Sequence, residues 1–147
     1  YNLKDVRKNK LVKPGQERCG YTGGNMVVML ANKQYGEIQV NSMPVLLGKY
    51  GKKRCLELFP QQLADVITQT QAHLVPPGLT RLCYEAYRIN KKGAPNLEAA
   101  DLSKLYYAWY RNEPGARTPE KLKEIKEKMT SVSTNFDKIF PKNLDNI

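Results

Sequence analysis

The spacing of apolar positions changes once along this chain, dividing it into a strand-forming beginning and a helix-forming remainder. Val6 to Val12 is a short strand candidate, closed by the turn signal Pro14-Gly15. After a polar loop to Gly20, the run Asn25-Met-Val-Val-Met-Leu-Ala31 has the length of a strand, and Asn32-Lys-Gln34 offers a hairpin connection. Tyr35-Gly-Glu-Ile-Gln-Val-Asn41 then alternates polar and apolar residues with period two, so the pair reads as an antiparallel hairpin. Ser42 stands at a helix N-cap position, with Pro44 in the first turn of a helix reaching about Tyr50.

From Cys55 onward the period is helical. Leu56, Phe59, Leu63, Val66, Ile67 and Thr70 recur at spacings of three and four, and Pro60 divides them into a short piece and a longer one. His73 falls within this helical stretch. Pro76-Pro77-Gly78 forces a loop. Leu79, Leu82, Cys83, Ala86 and Tyr87 mark a helix ending near Lys91-Lys92-Gly93, where basic residues and then glycine suit a C-terminus. Leu97 to Arg111 is the next helix, stopped by Pro114-Gly115, and Thr118-Pro119 opens a last one whose glutamates and lysines interleave on a solvated face. The fold class expected is α+β: a short antiparallel or mixed sheet over about residues 4–42, followed by a mainly helical layer.

Composition adds size and charge. A chain of 147 residues makes one domain, large enough to bury roughly 70% of its unfolded surface without disulfide or metal staples. It begins at Tyr1 rather than Met, so these residues are expected to be the later part of a longer protein. No apolar run approaches the roughly 20 residues that span a bilayer, so a soluble, cytoplasmic chain is expected. Cys19, Cys55 and Cys83 are odd in number and widely spaced, which fits reduced thiols better than a disulfide set or a zinc site. The 24 Lys and Arg outnumber the 14 Asp and Glu, and the first 54 residues hold eight of the ten net positive charges. Such a field draws polyanions: nucleotide phosphates, RNA or an acidic protein.

Candidate chemistry sits inside that basic segment. Residues two apart on a strand share a face, so Glu37, Gln39 and Asn41 project together. This is either a solvated face or a carboxylate with amide neighbours, suited to Mg²⁺ or to taking a proton from a hydroxyl nucleophile. In Cys19-Gly-Tyr-Thr-Gly-Gly-Asn25 the glycines allow close backbone approach, Tyr21 offers a ring for a nucleobase, and Asn25 offers an amide; a turn with a core tyrosine is the structural alternative. There is no GxxxxGK[ST] or GxGxxG, and His73 is the sole histidine, which disfavours P-loop, Rossmann and hydrolase-triad sites.

A basic strand, Gly20-Tyr21 followed by Gly24-Asn25 opening a strand, Glu37-Ile-Gln39-Val-Asn41 on its partner and a helix near Met43-Pro44 together resemble the second half of the RelA/SpoT-like (p)ppGpp synthetase fold. In that family a Gly-Tyr motif opens a strand whose partner carries Glu-[Ile/Val]-Gln. Its phage-associated and toxin-like branches often have Asn where the stringent-response enzymes have His, and this chain has Asn25. A later helix of those branches, Gly-His-x-x-Tyr-Glu-x-x-Arg, is similar to Gly78 with Tyr84-Glu85-Ala86-Tyr87-Arg88, where Arg81 replaces the histidine.

The resemblance implies a pyrophosphokinase: transfer of pyrophosphate from ATP to the 3′-hydroxyl of a purine nucleotide or of tRNA, with Mg²⁺ as cofactor. For a toxin domain it also implies an immunity or antitoxin partner and the cytosol of a target cell. By match of motif, Tyr21 stacks on the acceptor base, Asn25 contacts the acceptor, Glu37 assists deprotonation or holds Mg²⁺, and Gln39 orients the site. Asn41, Lys10, Lys13 and Lys49 complete the expected substrate-binding set. The family's ATP-gripping basic motif and first metal-binding Asp lie upstream of the basic strand, so these residues correspond to the C-terminal half of such a domain. Two further readings stand beside this one. One is a non-catalytic RNA- or partner-binding module with a basic sheet face; the other is an interaction role for the aromatic face of Tyr106, Tyr107, Trp109 and Tyr110.

Overall fold

The computed structural model describes residues 5–12, 17–144 and 147, the first of these stretches by its backbone alone. Lys13 and the Pro14-Gly15 turn lie outside the described residues. Three antiparallel strands, β1 (Asp5–Val12), β2 (Gly23–Met29) and β3 (Tyr35–Val40), form a sheet in the order β1-β2-β3. The architecture is α+β and mainly helical, as expected, with five helices following the strands: α1 (Met43–Leu58), α2 (Leu63–Thr70), α3 (Leu79–Ile89), α4 (Ala94–Tyr110) and α5 (Pro119–Asn135). Among the described residues no helix is long and apolar enough to cross a membrane.

The register decides which residues share a face. Gln39 pairs with Asn25 and Asn25 with Lys10, while Glu37 pairs with Val27 and Val27 with Lys8. The β2–β3 connection is tight because Asn32 replaces missing backbone partners: Gln34 N donates to its Oδ1 at 3.1 Å, and Lys33 takes the left-handed conformation with φ 64°. β2 runs two residues earlier at each end than the apolar run indicated, because pairing with β1 starts at Gly23 and the hairpin bond from Leu30 N to Gln34 O already belongs to the turn.

The helices differ from expectation in informative ways. α1 continues through a kink at Gly51 (φ 82°) to Leu58 instead of ending near Tyr50. There the chain crosses the loop before α3: Gly78 N donates to the carbonyls of Leu47 and Gly48, both at 3.1 Å, and Thr80 Oγ1 donates to Gly48 O at 2.9 Å. A Cβ at Gly78 would stand 3.0 Å from Gly51 Cα, so glycine at 78 lets the backbones approach this closely, while a Cβ at Gly51 would meet Ile147. Ser42 occupies the N-cap position without a side-chain cap bond, whereas Thr118 accepts from Lys121 N at 3.2 Å. α4 begins three residues before Leu97, with Gly93 at its N-cap and Pro95 in its first turn. His73 lies exposed in the turn after α2, not in a helix, because the left-handed Gln71 closes that helix.

The core lies among the helices. Leu47, Val75, Leu79, Leu102, Tyr106, Trp109, Tyr110, Ile125 and Val132 are all essentially buried. Tyr106, Trp109 and Tyr110 of α4 are therefore core, which removes them as an interaction surface. Its polar atoms are satisfied: Trp109 Nε1 donates to Thr70 O at 2.8 Å, Tyr110 Oη to Val75 O at 2.7 Å and Tyr106 Oη to Pro76 O at 2.6 Å. All three cysteines are free and buried.

Two stability outcomes follow. In Tyr110→Phe, Val75 O keeps its burial and loses its donor, and we expect a loss of about 1–3 kcal/mol in urea denaturation, against almost none for the exposed Tyr84→Phe. Burial also raises the thiols of Cys19 and Cys55 from 9.0 to about 11, and lifts the thiol of Cys83 and the phenols of Tyr106, Tyr107 and Tyr110 beyond that. The folded state holds these groups protonated to a higher pH than the unfolded chain does. Their contribution is thus intact below pH 9 and is lost as pH climbs through the folded values. The melting temperature should fall steadily between pH 9 and 11; a flat profile across that window would contradict the assignment.

Candidate nucleotide-binding cavity

A cavity of about 420 Å³ opens between the sheet and the helices. The Gly-Tyr turn, β3 and α1 contribute Tyr21, Gln39 and Lys49 to its lining, and α3 contributes Thr80, Arg81, Tyr84 and Tyr87. Ser103 and Tyr107 of α4 also line it, with Glu17, Arg18, Cys19 and Lys91 completing the wall. The charged lining is thus Arg18, Lys49, Arg81 and Lys91 against Glu17. A basic concave site with several tyrosines suits a ligand that carries both phosphate and an aromatic base.

The position of Tyr21 is set by its neighbours. Its Oη donates to Asn41 Oδ1 at 2.8 Å, Lys49 Nζ lies 5.0 Å from its ring centroid, and the Tyr107 ring meets it edge-on at 6.1 Å. Lys49 Nζ is also 5.0 Å from the Tyr50 ring. Partial burial pushes the Tyr21 phenol up, although the Asn41 bond acts in the opposite direction.

The turn itself is strapped to α4. Gly20 has φ 76°, and a Cβ there would stand 2.8 Å from Lys104 Cα, so the turn lies flush on the helix backbone. Ser103 Oγ donates to Cys19 O at 2.8 Å. Arg111 Nη1 donates to Gly20 O at 2.8 Å and to Thr22 Oγ1 at 3.3 Å, while Nε and Nη2 bind Glu113 Oε1 at 3.1 and 3.0 Å. The guanidinium also lies over the Tyr107 ring, 5.7 Å from its centroid. One arginine fork thereby joins the turn, its own acid and the ring that flanks Tyr21.

The sequence-expected residues separate by location. Tyr21, Gln39 and Lys49 line the cavity together. Glu37 is exposed and outside the lining, joined to it by Gln39 Nε2, which donates to Glu37 Oε1 at 3.3 Å. Asn41 is engaged by Tyr21 and acts through it. Asn25, opposite Gln39 in register, has a buried Oδ1 with no hydrogen-bond partner among the described residues, an acceptor left for a donor. Lys10 sits opposite Asn25 in backbone register, and Lys13 lies outside the described residues. Sequence reasoning missed Arg18, Lys91, Ser103 and Arg111: the basic ones carried no signal beyond charge, and the hydroxyl of Ser103 none at all.

Lysine cannot reproduce the Arg111 fork. We expect Arg111→Lys to lower stability by about 1–2 kcal/mol and to shift the Tyr21 ring resonances, with those of exposed Tyr35 unchanged. Unaltered Tyr21 signals in labelled-tyrosine NMR would refute the strap.

No protein-family model and no curated protein matches the chain. Among solved structures, it is similar to a chain in the crystal structure of the complex between the Type VI effector Tas1 and its immunity protein, with 26% identity and a TM-score of 0.61. The match covers 71% of this chain and 54% of that one, so these residues span about half the length of the neighbour.

Proposed function

We propose that these residues form the acceptor-binding half of a RelA/SpoT-like pyrophosphokinase of the effector-toxin kind, acting in the cytosol of a target cell. The observation that carries the reading is the cavity that brings Tyr21 and Gln39 of the strand motifs together with Arg81, Tyr84 and Tyr87 of the later helix motif. These motifs are distant in sequence and have no reason to converge if each is a solvated or core pattern. The likeness to an effector–immunity complex supports the toxin branch, and with it an immunity protein as partner.

The chemistry is pyrophosphate transfer. The ribose 3′-hydroxyl of a purine nucleotide or tRNA gives up its proton and its oxygen bonds to the β-phosphorus of ATP; the bond from that phosphorus to the bridging α-phosphate oxygen breaks and AMP leaves. Little covalent work falls to the protein, so positioning and charge neutralisation dominate. Tyr21 stacks on the acceptor base, whereas Asn25, with its Oδ1 buried and outside the cavity lining, is not placed to touch the acceptor. Lys49 supplies positive charge beside the ring, with Lys10 of β1 drawing phosphates and Lys13 adding to the same charge. Glu37 accepts the hydroxyl proton, with the Gln39 amide of the cavity lining donating to its Oε1.

Among the described residues no group of three or more His, Cys, Asp or Glu is placed to hold a metal. The donor set still fits Mg²⁺ in its usual phosphate-bridged mode, which takes one or two carboxylates and completes its shell with phosphate oxygens and water. Glu37 would hold it as the alternative to its role as base, and the ion would neutralise charge on the transferring phosphates.

A binding-only role has one observation in its favour, the exposed position of Glu37 outside the cavity lining. Glu37→Gln separates the two readings. In the full-length protein that contains these residues, we expect AMP release from ATP with a purine nucleotide or tRNA acceptor to fall at least about 100-fold, with melting temperature and nucleotide affinity retained. A binding-only module would show no AMP release in the wild type. Its affinity for RNA would fall steeply with salt and on neutralising Lys49, Lys52, Lys53 and Arg54, whatever stands at Glu37.

A further inference from the structure

The Gly-Tyr turn borders two cavities. Cys19 and Tyr21 line the one described above, whereas Gly20 between them lines a second, of about 360 Å³, formed with α4 and α5. The two share no lining residue. Leu105 and Ala108 of α4 give the second cavity an apolar patch, and its charged groups are Lys104, Arg111 and Lys128 against Asp101, Glu113 and Glu124. All three acids are already paired: Asp101 with Arg18 at 2.6 Å, Glu113 with Arg111 at 3.0 Å and Glu124 with Lys121 at 2.9 Å. Lys104 and Lys128 make no ion pair or hydrogen bond through their ammonium groups among the described residues, although each has an acid of the lining one helical turn before it. With Arg18 and Lys121 counted, five cations meet three carboxylates, an excess of two.

We propose that this second cavity is a regulatory site for a small phosphate monoester, whose binding is felt at Tyr21 through Arg111. A monoester near pH 7 carries close to two negative charges, which match the local excess, and lysines hold phosphate as point charges. A carboxylate would leave one of the two lysines unmatched. The carbon part of the ester covers Leu105 and Ala108, and the volume falls where single small ligands bind. Arg111 supplies the link. Its Nε, both hydrogens of Nη1 and one of Nη2 are committed to Glu113, Gly20 O and Thr22 Oγ1, which leaves a single Nη2 hydrogen for a ligand. A phosphate drawn to it stands beside the Glu113 carboxylate on one guanidinium, and the two anions repel. The hold of Glu113 weakens, and the fork is re-aimed at the turn it straps and at the Tyr107 ring it covers, both of which border Tyr21. An anion that favours one position of the fork over another shifts its population, and Tyr21 shifts with it.

Calorimetric titration of the full-length protein with phenyl phosphate, inorganic phosphate and phenol tests the site. Phenyl phosphate should bind at least about tenfold more tightly than either of its parts. In Lys104→Gln/Lys128→Gln that affinity should fall at least about tenfold, with an unchanged thermal melt, because neither ammonium group has a partner to lose. Arg81→Gln/Lys91→Gln removes the same charge from the other cavity and should leave binding within about twofold. In labelled-tyrosine NMR, saturating phenyl phosphate should move the Tyr21 ring resonances, leave those of exposed Tyr35 in place, and lose this effect in the Lys104/Lys128 variant. Inorganic phosphate binding as tightly as the ester, an affinity that follows Arg81 and Lys91 instead of Lys104 and Lys128, or a bound ester with unmoved Tyr21 resonances would each overturn the proposal. None of these readouts depends on AMP release, so a failure of the kinase reading leaves them standing.

Discussion

Helix α4 is the member on which both walls of the cavity depend. Between α2 and α3 the chain turns through Pro76-Pro77, where buried carbonyls have no helical partner and would be costly if left unmet. Trp109, Tyr110 and Tyr106 supply the donors, to Thr70, Val75 and Pro76. The other flank of the same helix, through Ser103, the Lys104 backbone and Arg111, holds the Gly-Tyr turn. The start of α3 and the ring of Tyr21 are thereby referenced to one rigid element, and the cavity is the space left between them.

The second reference is the crossing of Gly51 and Gly78. It kinks α1 and directs freed carbonyls to Gly78 N and Thr80 Oγ1. Lys49 on one side and Thr80-Arg81 on the other thus take fixed places across the cavity. The sheet is tied less firmly: its packing is chiefly strand on strand, and β3 is an edge strand with exposed Tyr35 and Val40. Glu37 therefore belongs to the part of the site with the greatest freedom to move. For the role proposed above, a carboxylate tethered to the cavity by one amide hydrogen bond fits geometry that tightens only when substrate is present.

Most of the elements were legible because their signals are local. The period-two run at Tyr35, the proline and glycine breaks, and Thr118-Pro119 each report on a few neighbouring residues, and each element except α1, which runs on from Tyr50 to Leu58, stands within a few positions of its sequence signal. What could not be read depends on residues far apart in sequence. A glycine in the middle of α1 looks like a helix end until Gly78 is seen against it. Tyr107 and Trp109 look like one aromatic face, yet Trp109 is core and Tyr107 also lines the cavity beside Tyr21. For the site, the strand motifs indicated Tyr21 and Gln39. Arg18 and Lys91, far apart in sequence and brought into the same lining, had no local pattern to announce them.

The basic excess also changes meaning once partners are known. Many of the basic side chains are engaged within the chain: Arg18 holds Asp101, Arg54 pairs with Glu57, Arg111 with Glu113, and Arg117 donates to the carbonyls of Trp109 and Gln69. These are arginines, whose planar fork can satisfy several acceptors at once, and their charge is largely committed to structure. Lys121 and Lys123 are likewise matched by glutamates along α5. Lys49 is held over aromatic rings, while Arg81 and Lys91 line the cavity with no ion pair among the described residues. A chain-wide charge of +10 says only that polyanions are attracted; the sorting of arginines into structure and of Lys49, Arg81 and Lys91 into one concave site gives that attraction a place to act.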